Sequence, residues 1–116
     1  MRRWTPLDAR NLERMAKRAM MGMAKSGGIA SNGSGDYVIA LSVYPENLID
    51  ESTDKYYPTL LHNDAMSPLF EATIEATAEA LWNSLFMATE MKGLNGRVVE
   101  ALPIQQALQA MQFPVL

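Results

Sequence analysis

Ser34 and Asp36 are the residues of this sequence best placed to do chemistry together. They stand two apart in Gly27-Gly28-Ile29-Ala30-Ser31-Asn32-Gly33-Ser34-Gly35-Asp36, which runs straight into Tyr37-Val38-Ile39-Ala40-Leu41-Ser42-Val43-Tyr44. On an extended chain, residues i and i+2 point to the same side, so a hydroxyl and a carboxylate can share one site. The glycines let other groups approach the main chain closely, and the free N–H groups of such a loop can bind negative charge. The same residue types also make ordinary turns, which is the commoner use of Gly, Ser, Asn and Asp clusters. A triad drawn from Ser34, His62 and Asp64 is conceivable on paper. Nothing in the sequence brings those three together, and capping or loop bracing is the favoured role for Asn63 and Asp64.

The elements that must carry these residues can be read from periodicity. Thr5-Pro6-Leu7-Asp8 reads as a helix start, with Thr5 as cap, Pro6 at the first helical position and Asp8 as the acid of a capping box. Leu12, Met15, Ala16, Ala19, Met20 and Met23 then recur at helical spacing to about Lys25, and Gly27 and Gly28 end the helix. Tyr37 to Tyr44 reads as a buried strand. Pro45 to Met66 is a long, acidic, turn-rich surface connection of the kind that often borders a functional site. Ser67-Pro68 starts a second helix whose later turns are apolar almost all round, with Glu71, Glu75 and Glu79 as its one charged face. Those like charges repel at a spacing of four, and a basic surface, the first helix among the candidates, would relieve them. Gly93-Leu94-Asn95-Gly96 turns the chain, Arg97 to Leu102 is a short extended piece, and Pro103 to Met111 is a last short helix.

Three helices and one strand leave an accounting problem. A lone strand cannot satisfy its own backbone N–H and C=O groups. Its partner must be the residues before Pro6, Arg97-Val98-Val99, a second copy, or another polypeptide.

Composition narrows the classes. The 116 residues fit one domain with enough apolar content for a core. There is no cysteine and a single histidine, which removes disulfides, thiolate metal sites and histidine clusters; no cofactor or metal is expected. No stretch approaches the length of a membrane span and the first residues lack a signal-peptide segment, so no membrane partner and a cytoplasmic location are expected. The formal charge of -3 gives no general argument for nucleic acid. It hides an asymmetry, because Arg2, Arg3, Arg10, Arg14, Lys17, Arg18 and Lys25 face only Asp8 and Glu13 in the first segment. A basic helix of this kind can bind nucleic acid or an acidic partner. The favoured reading is a solvated face, since no aromatic residues interleave the charges.

Three stretches together match a family. They are Ala30-Ser31-Asn32-Gly33-Ser34-Gly35-Asp36 before an apolar strand, Asn63-Asp64-Ala65-Met66-Ser67-Pro68-Leu69-Phe70-Glu71-Ala72, and Gly93-Leu94-Asn95-Gly96-Arg97-Val98-Val99-Glu100-Ala101-Leu102-Pro103. In this order they resemble the L-aminopeptidase/D-esterase family, which includes the β-peptidyl aminopeptidases and shares its fold with ornithine acetyltransferase. Pro6-Leu7 followed by Leu12, Met15, Ala16, Arg18 and Ala19 resembles that family's first helix. The resemblance implies an α/β class: part of the layered αββα aminopeptidase fold, with three helices and one main strand in an incomplete sheet, as a single domain over 1–116. It further implies a precursor that cuts itself, exposing a serine nucleophile at the start of a smaller chain, which this sequence is similar to. Its own α-amino group can serve that serine as base. Ser34 and Asp36 fall on the family's Ser-x-Glu/Asp pair. By the resemblance, Ser34 hydrogen-bonds near the nucleophile and Asp36, ionised, orients and stabilises the positive partner.

The sequence also departs from the family. It begins Met1-Arg2-Arg3-Trp4-Thr5, with no room for the family's nucleophile-bearing strand before Pro6 and no serine or threonine at the start. The larger chain is absent too. The chain alone is therefore expected not to hydrolyse peptides. Three readings follow, in descending order: a nucleophile-less relative of the aminopeptidase small chain, a non-catalytic module that self-associates or binds a partner through a strand edge, and a basic-helix binder of nucleic acid. The expected partners are a second copy of the chain or the missing large chain.

Overall fold

Asp8, rather than Thr5, caps the first helix. In the computed structural model, which describes residues 5–111, Asp8 is extended (φ −87°, ψ 171°) and its Oδ1 accepts the backbone N–H of Asn11 at 2.8 Å. A cap carboxylate at this point satisfies one of the amides that the first helical turn leaves without a partner. Thr5 and Pro6 thus stay outside the helix, and the Pro6 carbonyl accepts the N–H of Leu61 at 3.0 Å instead. The residues before Thr5, one of the partners considered for the strand, lie outside the described residues.

Helix α1 spans Ala9–Lys25 and ends in a Schellman arrangement. The Gly28 N–H reaches the Met23 carbonyl and the Gly27 N–H the Ala24 carbonyl, each at 3.0 Å, with Gly27 at φ +100°. Leu12, Met15, Ala16, Ala19, Met20 and Met23 are all half-buried, as their spacing predicts. Helix α2 spans Ser67–Phe86. The carbonyl of Met66, which is wholly buried, accepts the N–H groups of Leu69 and Phe70 at 3.0 and 3.1 Å, so Met66 stands at the junction. Pro68 follows in the first turn, where its missing N–H has no partner to lose. α1 and the first part of α2 come into backbone contact at Gly22. A Cβ built there would lie 2.5 Å from the Ile74 carbonyl oxygen and 2.6 Å from the Thr77 Cβ.

The chain divides into two compact units, Met1–Ala78 and Glu79–Leu116. The most buried side chains, Leu7, Asn11, Met66 and Ala78, belong to the first. In the second, Met91–Lys92 (β1) and Val98–Val99 (β2) pair antiparallel, with Met91 opposite Val99 and Lys92 opposite Val98. The hairpin turns through Asn95 (φ 60°) and Gly96 (φ 73°), consecutive left-handed residues of the kind that Asn-Gly supplies. Helix α3 spans Ile104–Met111, and the Pro103 carbonyl accepts the Ala107 N–H at 3.0 Å. Among the described residues, three α-helices and a two-stranded antiparallel sheet make a mixed α/β fold.

The main strand is not where periodicity puts it. Tyr37 to Tyr44 forms no ladder among the described residues and is not buried: Tyr37 is 95% exposed and Ile39 90%. The reason is the partner. Val98 and Val99, one of the candidate partners, pair instead with Met91 and Lys92 across a tight turn, a local closure that orders less chain than a long-range pairing. Tyr37, Ile39 and Leu41 therefore present their side chains to solvent.

Candidate active site

Two turns in succession present the Ser34–Asp36 loop. After Gly27 and Gly28 close α1, Ala30 adopts φ +47°, a left-handed conformation that costs a non-glycine residue on the order of 1 kcal/mol. The chain then turns over Ser31–Ser34, where the Ser34 N–H donates to the Ser31 carbonyl at 2.9 Å. Gly33 at φ +91° occupies the position of this turn that requires a positive φ. The two serine hydroxyls face each other, Oγ to Oγ, at 3.5 Å.

Ser34 and Asp36 are both exposed. Among the described residues no hydrogen bond joins Ser34 to Asp36, and neither is bonded to His62. The loop thus presents a hydroxyl pair and a carboxylate on a backbone open to approach. His62 instead pairs with Asp64: its Nδ1 lies 3.3 Å from the Asp64 carboxylate and accepts the Asp64 N–H at 3.4 Å, capping the short turn Asn63–Ala65. A Ser34–His62–Asp64 triad is not assembled: His62, not Asn63 or Asp64, supplies the capping side chain, and Asn63 braces the segment against α1.

Asn63 is a hub. Its Oδ1 accepts from Arg10 at 3.1 Å and Arg14 at 2.9 Å. Arg14 also donates to Oδ1 of the buried Asn11 at 2.8 Å. The guanidinium carbons of Arg14 and Arg18 lie 4.9 and 3.7 Å from the centroid of the Phe70 ring. The basic face of α1 is therefore divided: Arg14 and Arg18, half-buried, engage the Asn63 turn and the start of α2, whereas Arg10 and Lys17 remain largely exposed. It does not relieve the glutamates of α2 either. The ion pairs among the described residues are Arg10–Asp8 and Lys17–Glu13. Sequence reasoning missed this clamp. Its signal was the Arg14, Arg18 spacing of one helical turn together with an aromatic residue near the start of the next helix.

The long connection from Pro45 to Met66 is braced from within. Asn47 uses its amide as a backbone mimic, donating to the Thr59 carbonyl and accepting the Thr59 N–H, both at 2.8 Å. Tyr56 donates its hydroxyl to the Asn47 carbonyl at 2.9 Å. Asp50 Oδ1 accepts from both the N–H and the hydroxyl of Ser52, and these bonds hold its carboxyl below the usual carboxylate range. Among the described residues no three acidic or histidine side chains converge as metal donors, and no helix is long and apolar enough to cross a membrane.

With this geometry in hand, the similarity to known proteins is informative. The sequence profile of Peptidase family S58 matches residues 5–99, a span that holds the Ser34–Asp36 loop, the Asn63 turn and the hairpin. The chain belongs to peptidase family S58. It is 37% identical over 98 residues to the beta-peptidyl aminopeptidase BapA of Sphingosinicella microcystinivorans, a match covering 84% of this chain and 25% of that protein. With the BapA of Sphingosinicella xenopeptidilytica it shares 32% identity over 114 residues, 94% of this chain and 28% of the relative. Among solved structures, the PH0078 protein of Pyrococcus horikoshii OT3 superposes with a TM-score of 0.72 at 40% identity, covering 93% of this chain and 30% of that one. A Burkholderia sp. beta-aminopeptidase superposes at 0.71 and 26% identity, covering 95% and 33%. This S58 chain thus shares its fold with a beta-aminopeptidase of known structure, and it spans about a quarter to a third of the length of these proteins.

Proposed function

We propose that this chain supplies part of the catalytic site of an aminopeptidase that releases N-terminal residues from peptides, amides or esters. The observation that carries the reading is the placement of Ser34-Gly35-Asp36, on an exposed turn, inside the span matched by family S58. The nucleophile in this reading is a serine with a free α-amino group, contributed by polypeptide outside residues 1–116. The length of the relatives supports such a source. The amine takes the serine proton as the hydroxyl attacks the substrate carbonyl, and returns it to the leaving group. Ser34 hydrogen-bonds at the nucleophile, and ionised Asp36 steadies the ammonium that forms. Neither does the bond-breaking step itself, so residues 1–116 alone do not turn over substrate.

The test uses two proteins: the 116-residue chain, and a chimera in which its residues 5–99 replace the matching segment of the Sphingosinicella microcystinivorans enzyme. The chimera should release p-nitroaniline from aminoacyl anilides, and Asp36→Asn should abolish that release while the protein still folds. Turnover by the isolated chain, or an unaffected Asp36→Asn chimera, would remove these roles.

A second reading has its own observation. Tyr37, Ile39 and Leu41 are apolar and highly exposed, on a stretch that forms no ladder among the described residues, which suits self-association by strand pairing. Light scattering on the chain and on Ile39→Pro separates the two: an oligomer that dissociates in the variant supports pairing, and a monomeric parent removes it.

A further inference from the structure

We infer that residues 37–44 are built as an interior strand, covered on both edges and both faces by polypeptide outside residues 1–116, an inference that rests on the proposed function, which already draws its nucleophile from there. Side chains alternate between the two faces of an extended chain. Tyr37, Ile39, Leu41 and Val43 thus share one face, and Val38, Ala40, Ser42 and Tyr44 the other. Neither face carries a charge. A strand with one wet face alternates apolar with polar residues, whereas a near-continuous apolar run belongs to a strand buried on both. Here both faces are open: Ile39 is 90% exposed and Val38 43%, and the stretch forms no ladder among the described residues. Asp36 on one side and Pro45-Glu46 on the other bound the run with the charges and the proline that guard an obligatory apolar strand.

The occupant follows from what each candidate can cover. A second copy related by a two-fold axis pairs along one edge and leaves the other bare. Copies on both edges repeat without closing, and eight uncharged residues free of proline and glycine would then stack into fibres. The remainder of the enzyme has the size for the task, since the matched region is about a quarter to a third of each relative. Its docking also serves the site. Residues opposite each other on adjacent strands have Cβ atoms about 4.5–5.5 Å apart, so a strand laid along residues 37–44 delivers its own end to Ser34 and Asp36.

Hydrogen exchange resolved to single amides, in the 116-residue chain and in the chimera, tests this. Successive N–H groups of a strand point to opposite edges, so an interior strand protects consecutive amides and an edge strand only alternate ones. Amides 38–43 should exchange about a hundredfold more slowly in the chimera than in the isolated chain, without alternation. Alternating protection or none in the chimera would overturn the inference, as would consecutive protection in a monomeric isolated chain. Because a substituted chimera can fail to fold, the faces are tested in trans. The tagged 116-residue chain is co-expressed with the relative's polypeptide lacking the replaced segment, and the recovered complex is weighed. Val38→Glu and Ile39→Glu, one on each face, should each lower recovery about tenfold or more, since each would bury an unpaired charge. Both variants of the isolated chain should keep the parent's urea midpoint. Undiminished recovery with either variant would overturn the two-faced docking. A chimera with protected amides that is indifferent to Asp36→Asn keeps the interior strand and removes the catalytic role of Asp36. An Asp36-dependent chimera with freely exchanging amides does the reverse.

Discussion

The guanidinium carbon of Arg18 stands 3.7 Å from the centroid of the Phe70 ring, and the Arg18 Nη1 donates to the Arg14 carbonyl at 2.9 Å. One half-buried arginine thereby ties the middle of α1 to the first turn of α2. A cation against an aromatic face contributes about 0.5–1 kcal/mol where it is partly exposed. Arg18→Met, which keeps much of the packing volume, should lower the free energy of unfolding by about that amount in a urea titration. Phe70→Leu should cost more, because it removes the face used by Arg14 as well.

Gly22 has no room for a side chain. Ile74 presents a backbone oxygen, not the end of a flexible chain, to the added Cβ. Gly22→Ala should therefore destabilise by about 1–3 kcal/mol, even though alanine is the better helix former. A thermal melt that moved upward would contradict the close approach of the two helices.

Asn63 gathers two arginines on one neutral oxygen. Asn63→Ala should cost about 1 kcal/mol, since Arg10 and Arg14 regain water in exchange. Asn63→Asp should restore the loss by placing a carboxylate between two cations, and that gain should shrink as salt rises from low to molar concentration. An alanine variant as stable as the parent at all salt concentrations would mean that the Asn63 hub is not a fastening.

Asp50 makes the connection sensitive to acid. Its carboxyl is held below the ordinary value of 3.8 by the Ser52 hydroxyl and N–H. A depressed carboxylate contributes stability that is fully present above its unfolded pKa and is lost as pH falls through its folded one. At neutral pH the Asp50–Ser52 bonds are intact, and they should open only as the pH drops below the usual carboxylate range. Ser52→Ala should move the Asp50 titration, followed by its carboxyl carbon shift, back up toward 3.8.

The features that were legible in the sequence are the local ones. The Met15 and Met23 periodicity, the Gly27 stop, the Pro68 start and the Gly93–Gly96 turn each express a preference satisfied within a few residues. Placing the cap on Thr5 failed because Asp8 also qualifies and lies nearer the first apolar position. The Tyr37–Tyr44 reading failed for a different reason. A run of β-branched and aromatic residues says that a segment can be a strand, but only a partner makes it one, and Val98–Val99 is satisfied by its own hairpin. The solvated reading holds for Arg10 and Lys17 but not for Arg14 and Arg18, because charge pattern cannot reveal that Phe70 and Asn63 converge on those two from another part of the chain. At the candidate site, the residue types of Ser34 and Asp36 were visible from the start, whereas the Ser31 hydroxyl beside Ser34 needed the geometry of the turn.

The Asn47–Thr59 brace gives this protein a natural splice point. The chain leaves Asn47 and returns at Thr59 with both ends already fastened by a pair of hydrogen bonds to the Asn47 amide, so the tip around Glu51 and Asp54 hangs from a closed base. Lengthening such a loop is inexpensive, about 0.6 kcal/mol for each doubling of its length. An epitope tag or fluorophore-bearing peptide inserted after Thr53 would ride on the molecule without disturbing α1, α2 or the Ser34 turn.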